Sequence, residues 1–223
     1  MFRNLLAVTL LSVLTVGCGG SDDNSASVRV FHASPDAPNV DVAIDGGRVL
    51  ENVPYTAASE FLPIDAGTRR VTVSAAGTST AVIDADVPFA EGEDYLIVAA
   101  GKLKNIAPLV FKADRSSPPA KSAKLRVLHS AASAPEVDVY VVAAGKDFTT
   151  STPVLANVPF KAISDYLTVP AGKYDVSVTV AGTQTVAIQA LGFEVAEGTV
   201  ATVAALDAPG SGAPFSLKVL SER

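Results

Sequence analysis

The chain has 223 residues but no tryptophan, one cysteine and two histidines, and only 18% of its residues are charged. Without tryptophan or a cysteine pair, the Cys-Trp-Cys framework of a true immunoglobulin domain is excluded. A single cysteine forms no intrachain disulfide, so each folded unit depends on its hydrophobic core. No cluster of lysine and arginine offsets the net charge of −6, which argues against nucleic acid or an anionic bilayer as an electrostatic partner.

The chain is rich in apolar residues, which make up 48% of the sequence. That fraction, with so little charge, is typical of a chain that folds around a core rather than a disordered one. From residue 28 onward, apolar and polar residues alternate with a period of two, and Gly or Pro interrupts them every eight to twelve residues. The pattern predicts half-buried antiparallel strands and no helix.

The N-terminus is typical of an export signal. Arg3 supplies the positive charge, and residues 5–16 form a mostly apolar run of twelve. As a helix this run would span about 18 Å, short of the ~30 Å hydrocarbon core of a membrane, so a cleaved signal fits better than a transmembrane helix. We therefore expect a signal peptide at residues 1–17.

The only cysteine stands directly after this run. Leu14, Val16 and Gly17 before Cys18 resemble the lipobox of bacterial lipoproteins, in which the cysteine is lipidated and becomes the first residue; Thr15 departs from the usual leucine. We expect lipidation at Cys18 and a flexible tether over residues 18–27. The alternative is an ordinary secretory signal with an incidental cysteine, or one buried as a small hydrophobe.

This reading places the mature protein outside the cytoplasm. It predicts an exported, membrane-anchored protein of the cell envelope, at the outer membrane or periplasmic face of a Gram-negative bacterium. Loss of residues 1–17 removes one charged side chain, that of Arg3, and changes the net charge from −6 to −7.

One stretch of the chain occurs twice, 97 residues apart. Residues 28–42 begin Val-Arg-Val-Phe-His and end Val-Asp-Val, and residues 125–139 begin Leu-Arg-Val-Leu-His and end the same way. The two histidines, His32 and His129, occupy matched positions. A duplication of this length predicts two tandem domains.

A second signature recurs at a larger spacing. Asn-Val-Pro followed by an aromatic residue occupies 52–55 and 157–160, which are 105 residues apart. The second copy has therefore gained eight residues, and the loop-forming residues of 143–154 indicate a lengthened hairpin there.

These patterns predict an all-β protein of two tandem immunoglobulin-like or transthyretin-like β-sandwich domains. The first is expected at 28–114 and the second at 124–223. Residues 115–123 are polar and proline-rich, so we expect a semi-rigid linker that spaces the domains.

Strand alternation also assigns faces to side chains. His32 shares the face of Val28 and Val30 at the end of the first strand, so we expect a buried histidine there. Asp41 lies opposite the core valines of the second strand and is expected to point outward. The sequence at 45–47, Asp-Gly-Gly, predicts a tight hairpin turn.

Beyond the duplication, the motifs resemble a known family. His-Ala-Ser-Pro-Asp-Ala-Pro at 32–38, Asn-Val-Pro-Tyr at 52–55, Ser-Glu-Phe-Leu at 59–62 and Ala-Gly at 66–67 are similar to the bacterial domain of unknown function 4397 (DUF4397). The second copy departs from it at 130–133, Ser-Ala-Ala-Ser, and loses the counterpart of Asp36. The resemblance implies an exported protein, often carrying the domain in tandem, and implies no reaction.

Each copy also carries a serine, a histidine and an aspartate at matched positions. They are Ser59, His32 and Asp41 in the first copy, and Ser164, His129 and Asp138 in the second. A hydrolase triad needs all three within hydrogen-bond reach, but strand alternation puts histidine and aspartate on opposite faces, and no Gly-x-Ser-x-Gly elbow surrounds either serine. We expect no enzyme.

Metal and cofactor sites are not expected either. One histidine per domain and no usable cysteine leave a carboxylate calcium site as the conceivable one, from Asp22 and Asp23 or from Asp84, Asp86 and the acidic residues of 91–94. The second copy replaces most of the latter, which favours a solvated acidic loop. The glycine-rich segment 208–214 lacks the lysine of a phosphate loop and predicts a hairpin loop.

The sequence thus favours a non-catalytic binding or structural scaffold module. The alternatives are a pair of small-molecule- or carbohydrate-binding or adhesion domains, and a Ser/His/Asp hydrolase. Expected partners are the membrane through the lipid anchor and an envelope protein or glycan, with no nucleic acid. The candidate loop or binding positions are His32, Asp36, Asp41, His129 and Asp138.

Overall fold

The computed structural model describes residues 24–223. The predicted signal at 1–17, Cys18 and the acidic pair Asp22-Asp23 lie outside these residues. Across the described part of the chain, no helix is both long and apolar enough to cross a membrane.

Eight strands form the first repeat, in two four-stranded sheets of order β4-β1-β7-β8 and β3-β2-β5-β6. The first strand begins within the segment predicted as tether. A short 3-10 helix at Leu103–Asn105 precedes the last strand. The strands are β1 (Ser25–Ala33), β2 (Val40–Ile44), β3 (Gly47–Val53), β4 (Leu62–Asp65), β5 (Gly67–Ala75), β6 (Ala81–Phe89), β7 (Asp94–Ala100) and β8 (Ala107–Ala113).

The second repeat has the same arrangement, with sheet orders β12-β9-β15-β16 and β11-β10-β13-β14. Its first strand begins inside the segment predicted as linker. The loop expected to carry eight added residues holds a 3-10 helix at Phe148–Thr150. The strands are β9 (Ser122–His129), β10 (Val137–Ala143), β11 (Leu155–Val158), β12 (Leu167–Pro170), β13 (Gly172–Val180), β14 (Val186–Val195), β15 (Val200–Leu206) and β16 (Ser216–Ser221).

The predicted alternation builds each core. In the first repeat Val30 and Ile97 of one sheet pack against Val42 and Val73 of the other, all buried in one apolar cluster. Alternate side chains of a strand share a face, so these residues close the space between the sheets. The all-β prediction with two β-sandwich domains is confirmed.

The hairpin predicted at residues 45–47 is also confirmed. Asp45 and Gly46 adopt positive φ angles of 50° and 81° between β2 and β3. Two central residues with positive φ give the turn whose twist matches paired strands, which Asp-Gly adopts readily.

The two repeats pack against each other through the outer faces of their first sheets. Phe31 and Val98 of the first repeat, on the faces opposite the core valines, join Leu128 and Leu206 of the second in one fully buried cluster. The prediction that residues 115–123 hold the domains apart is therefore wrong. Alternation assigned the outer face to solvent, but residues 95–100 of β7 and 200–206 of β15 form apolar runs broken by Thr202 alone, and such runs are typical of strands buried on both sides.

The contact between repeats is reciprocal. The Arg29 guanidinium donates to the Ser221 carbonyl, and the Arg126 guanidinium donates to the Lys112 carbonyl at 2.7 Å. Arg126 is the counterpart of Arg29, and ladder register makes Ser221 the counterpart of Lys112. Reciprocal contacts of this kind define an isologous interface, so the repeats sit like two subunits of a twofold dimer.

Candidate functional site

His32 is fully buried at the end of β1. Its Nε2 donates to the Pro38 carbonyl at 3.1 Å, and its Nδ1 accepts from the Ser34 amide at 3.3 Å. An amide can only donate, so the ring proton resides on Nε2. The ring edge meets Tyr55 at a centroid distance of 6.1 Å. Burial lowers the pKa of His32, and the neutral ring fastens the following loop to the strand, as predicted for a buried histidine.

His129 repeats this arrangement with one loss. Its Nε2 donates to the Pro135 carbonyl at 3.0 Å, and its ring meets Phe160 at 6.1 Å. Its Nδ1 has no hydrogen-bond partner within residues 24–223. Burial lowers the pKa of His129, while the Asp207 carboxylate opposes that shift.

Asp41 and Asp138 are buried, at 6% and 5% exposure, so the expectation that Asp41 points into solvent is wrong. Asp41 accepts from the amide of Asn52 at 2.8 Å and from that of Gly77 at 3.1 Å. These two amide hydrogen bonds lower the pKa of Asp41.

The second repeat has the same clamp. Asp138 accepts from the amide of Asn157 at 2.7 Å and that of Gly182 at 2.8 Å. Each aspartate therefore joins the Asn-Val-Pro turn to an Ala-Gly-Thr turn, which lies at residues 76–78 in the first repeat and 181–183 in the second. This explains in physical terms why the three motifs recur together in both copies.

The serines bind backbone as well. Ser59 Oγ accepts from the Val30 amide at 3.0 Å and donates to the Glu60 carbonyl at 2.6 Å. Ser164 Oγ accepts from the Val127 amide at 3.0 Å and donates to its own neighbouring carbonyl at 2.8 Å. Histidine, serine and aspartate thus hold three separate backbone segments, and the structure does not bring them together as a triad.

Asp36, the remaining candidate, is exposed and joins two loops. Its Oδ1 accepts from the Leu103 amide at 2.7 Å, tying the β1–β2 loop to the β7–β8 loop. The second repeat has Ser133 at this position. Its β9–β10 loop is still tied to the β15–β16 loop, but the carboxylate comes from the β15–β16 loop. There Asp207, from the β15–β16 loop, accepts from the Ser133 amide at 3.2 Å.

Three of the acidic residues weighed as calcium ligands are each paired with a cation. Asp84 pairs with Arg70, with Nε and Oδ1 2.7 Å apart. Glu93 pairs with Lys112 at 3.0 Å, and Asp94 with Arg115 at 3.3 Å. Within residues 24–223 no group of three or more metal-ligating side chains converges.

Comparison with known proteins agrees with the duplication. The family model described as "Domain of unknown function (DUF4397)" matches residues 26–140 and 143–222. The chain belongs to the DUF4397 family. No protein of curated function matches it.

Among solved structures, the DUF4397 chain is similar to a family 26 carbohydrate-binding module of Eubacterium rectale Amy13K in complex with maltoheptaose. The identity is 11%, the alignment covers 87% of this chain and 96% of that one, and the TM-score is 0.27. A protein of Bacteroides ovatus provisionally assigned as an adhesin matches at 8% identity, with 88% and 95% coverage and a TM-score of 0.26. Likenesses this remote bear on neither ligand nor activity.

A polar cleft lies where the margins of the two DUF4397 repeats meet. Its volume is about 360 Å³, and its lining includes Arg29, Glu60, Phe61, Arg115 and Glu222. Sequence reasoning missed this site. The available signal was an arginine at the same position of both repeated strands, flanked by apolar residues that predict a buried face.

The second repeat also contains an apolar cavity. It has a volume of about 60 Å³ between the two sheets, and its lining is entirely apolar, including Val127, Val139, Val195 and Leu217. An apolar space of this size holds no set of polar partners for a water molecule or a charged ligand.

Proposed function

We propose that the chain is an exported lipoprotein whose DUF4397 pair is a non-catalytic binding or structural scaffold module of the cell envelope. The observation that carries the non-catalytic part is the use of His32, Ser59 and Asp41 as backbone clamps. The second repeat uses its matched residues in the same way. A nucleophilic hydroxyl needs a base within hydrogen-bond reach, and here both are engaged elsewhere.

An esterase and glycosidase assay panel tests this part. We expect the purified protein to hydrolyse no ester or glycoside faster than the Ser59→Ala and Ser164→Ala double variant does. Neither hydroxyl is activated by the histidine of its repeat, because both histidines bind backbone groups instead. Turnover that disappears in the double variant, with the fold intact by circular dichroism, would instead establish the hydrolase alternative.

The anchoring part rests on the residues around Cys18. An apolar run of twelve ends in small residues before the only cysteine, and no more than six residues separate that cysteine from Ser25, where β1 begins. Six residues reach at most about 22 Å, so lipidation would hold the first repeat close to the membrane surface. We place the protein at the outer membrane or periplasmic face of a Gram-negative envelope.

Replacing the cysteine tests the anchor. Cys18→Ser should move the protein from the membrane fraction to the soluble exported fraction and abolish incorporation of a labelled fatty acid. Ser21→Ala, a neighbouring change that spares the thiol, should leave both unchanged. The lipid anchor would be ruled out if Cys18→Ser associated with membranes as well as the parent does and the parent itself took up no lipid label.

Between the two roles, ligand binding is favoured over a purely structural role by the polar cleft. Its arginines and aromatic ring lie beside open space at the domain margin. A carbohydrate or an envelope protein is the partner class we propose. Capture of defined envelope glycans by the soluble Cys18→Ser protein tests it, with heat-unfolded protein as the control.

A further inference from the structure

The second repeat contains a complete carboxylate-binding arrangement. Arg126 Nη2 donates to Glu222 Oε1 at 2.8 Å, and both residues are buried, at 3% and 2% exposure. Thr202 and Tyr166 donate their hydroxyls to the same carboxylate. The guanidinium also lies 4.5 Å from the centroid of the Tyr166 ring. Here the chain supplies both the binding groups and the carboxylate.

The first repeat keeps the arginine and lacks the carboxylate. Arg29 is the counterpart of Arg126 and is only 8% exposed. Phe61 takes the place of the tyrosine, with its ring centroid 5.8 Å from the guanidinium. Ladder register makes Ala113 the counterpart of Glu222. The position that fills the site in the second repeat therefore carries a methyl group in the first.

The hydrogen bonds of Arg29 leave part of its guanidinium unused. Nε donates to the Ser59 carbonyl at 2.8 Å and Nη1 to the Ser221 carbonyl. Nη2 has no partner, and no carboxylate lies within ion-pair distance, among residues 24–223. Burial lowers the pKa of Arg29. Buried charges in proteins are normally paired, and this one lines the cleft instead.

A second guanidinium faces the same ring. Arg115 lies 4.3 Å from the centroid of Phe61, and its Nη1 approaches Asp94 at 3.3 Å. Arg223 also lines the cleft. Of the acidic groups around the cleft, Glu222 is committed to Arg126 and Asp94 to Arg115, which leaves Glu60 against the guanidiniums of Arg29 and Arg223. The cleft is therefore suited to an anion, since a guanidinium binds a carboxylate in bidentate geometry through two parallel N–H donors.

We propose that this cleft binds the carboxylate group of an external ligand, held by Arg29 and Arg115 against the Phe61 ring. The inference rests on the proposed function as a binding module and names the chemistry of its ligand. A uronic acid of an envelope glycan and the C-terminus of a peptide both present this group. The matched position in the second repeat is filled by Glu222 and takes no external carboxylate.

Calorimetry on the soluble Cys18→Ser protein tests the proposal with D-galacturonate, N-acetylglycine and neutral D-galactose. We expect the carboxylates to bind and galactose not to. The stronger of the two carboxylates identifies the sugar or the peptide as the source. Arg115→Gln should weaken binding at least tenfold, because it removes a charge-assisted contact. Arg70→Gln, which changes an exposed arginine paired with Asp84, should leave it unchanged.

Ala113→Glu is the sharpest variant, because it gives the first repeat the residue of the second. It should abolish carboxylate binding and raise the melting temperature by pairing with Arg29. The proposal that the cleft binds carboxylates would be overturned if the parent bound no carboxylate, or if Arg115→Gln bound it as tightly as the parent does. If the parent binds neither carboxylate but still captures envelope glycans, the binding module stands and the cleft proposal fails; if the parent binds no carboxylate and captures no glycan, both proposals fail.

Discussion

The two repeats share strand order, turn clamps and a buried histidine, yet they fill their cores differently. In the first repeat Phe89 and Tyr95 pack edge to face, with ring centroids 5.1 Å apart, and both are buried. Ladder register makes Val195 and Ala201 their counterparts. The second repeat has lost two aromatic rings from this position, and the apolar cavity of about 60 Å³ lies beside Val195.

The second repeat has aromatic residues elsewhere. Tyr174 and Phe193 pair across β13 and β14 and line the cavity, both only half-buried. Their counterparts in the first repeat are Arg69 and Val87. The rings have thus moved from the centre of the sandwich to its rim. The comparison teaches that turn clamps and alternation keep the same strand order even when core volume is lost.

The repeats also differ in how their matched arginines are neutralised. Arg126 meets a buried carboxylate, and Arg29 meets carbonyl groups and an open cleft. Since the isologous interface holds both arginines, the second repeat has a closed polar cluster and the first an open one. The variants below test this contrast and the contrast in core packing.

The largest effect is expected from Arg126→Met. It leaves the Glu222 carboxylate buried without its cation, and breaking a buried pair on one side typically costs about 3–5 kcal/mol. Urea unfolding followed by circular dichroism measures the loss. The double variant Arg126→Met with Glu222→Leu should recover most of it, because no buried charge then remains unpaired.

Arg29→Met is the matched control in the first repeat. It removes hydrogen bonds to two carbonyls and strands no carboxylate, so its cost should be clearly smaller than that of Arg126→Met. Equal losses of unfolding free energy in the two variants would show that the two arginines have the same structural role. That result would contradict the difference between a closed and an open polar cluster.

The next effect concerns the exchanged core residues. Phe89→Val gives the first repeat the residue of the second and should destabilise it by roughly 1–3 kcal/mol through a new cavity. Val195→Phe makes the reverse exchange beside the existing cavity and should stabilise the protein by roughly 0.5–2 kcal/mol. Melting temperatures of the two variants measure both signs. A lower melting temperature for Val195→Phe would mean that the space cannot accept the ring.

Sequence reasoning reached the features that depend on local pattern. Alternation gave the burial of Val28, Val30 and His32, and the Asp45-Gly46 dipeptide gave the hairpin, because each is decided by residues close in the chain. Alternation also placed Asp41 correctly on the face opposite the core. It missed the burial of Asp41, because the covering amide of Gly77 comes from a turn 36 residues away.

The interface and the cleft were out of reach for the same reason. The partner of Arg29 across the interface is Ser221, 192 residues further along the chain. The apolar run at 95–100 and the run at 200–206, broken by Thr202 alone, signalled strands buried on both sides, but not what covered them. The facing surface turned out to be the other repeat, which composition and spacing do not specify.

A smaller effect is expected at the Asn-Val-Pro turns. Asn52 and Asn157 both have a φ of 52°, a left-handed conformation that asparagine tolerates better than other side chains do. Asn157→Ala should cost about 1 kcal/mol, and Asn157→Gly should be nearly neutral. Chemical denaturation of the two variants separates backbone strain from side-chain contacts; equal losses would point to the contacts.

The first repeat adds a side-chain contact to this turn. Asn39 donates to Asn52 Oδ1 at 2.9 Å, whereas Glu136 occupies the matched position in the second repeat. Asn52→Gly should therefore be slightly destabilising where Asn157→Gly is not. The difference between the two glycine variants measures this exposed hydrogen bond.

The smallest effect is expected in the titration of the two histidines. Burial lowers both pKa values below the ordinary 6.5. The unfolded chain then binds protons more readily than the folded one. The contribution of the two neutral histidines to the free energy of unfolding is therefore complete above pH 6.5, and it declines as the pH falls towards the folded pKa values. The decline is at most about 1.4 kcal/mol per pH unit for each histidine. Melting temperatures between pH 8 and 5 should follow this direction.

The two rings should not titrate together. The Ser34 amide occupies Nδ1 of His32 and opposes protonation there, while Nδ1 of His129 has no partner within residues 24–223 and the Asp207 carboxylate partly offsets the lowering of its pKa by burial. Two-dimensional NMR of the imidazole groups should therefore show His129 protonating at a higher pH than His32. Asp207→Asn should bring the two values closer, because it removes the charge that separates them. A His32 that titrates freely near pH 6.5 would mean that its ring is exposed and that the loop clamp in the first repeat is open.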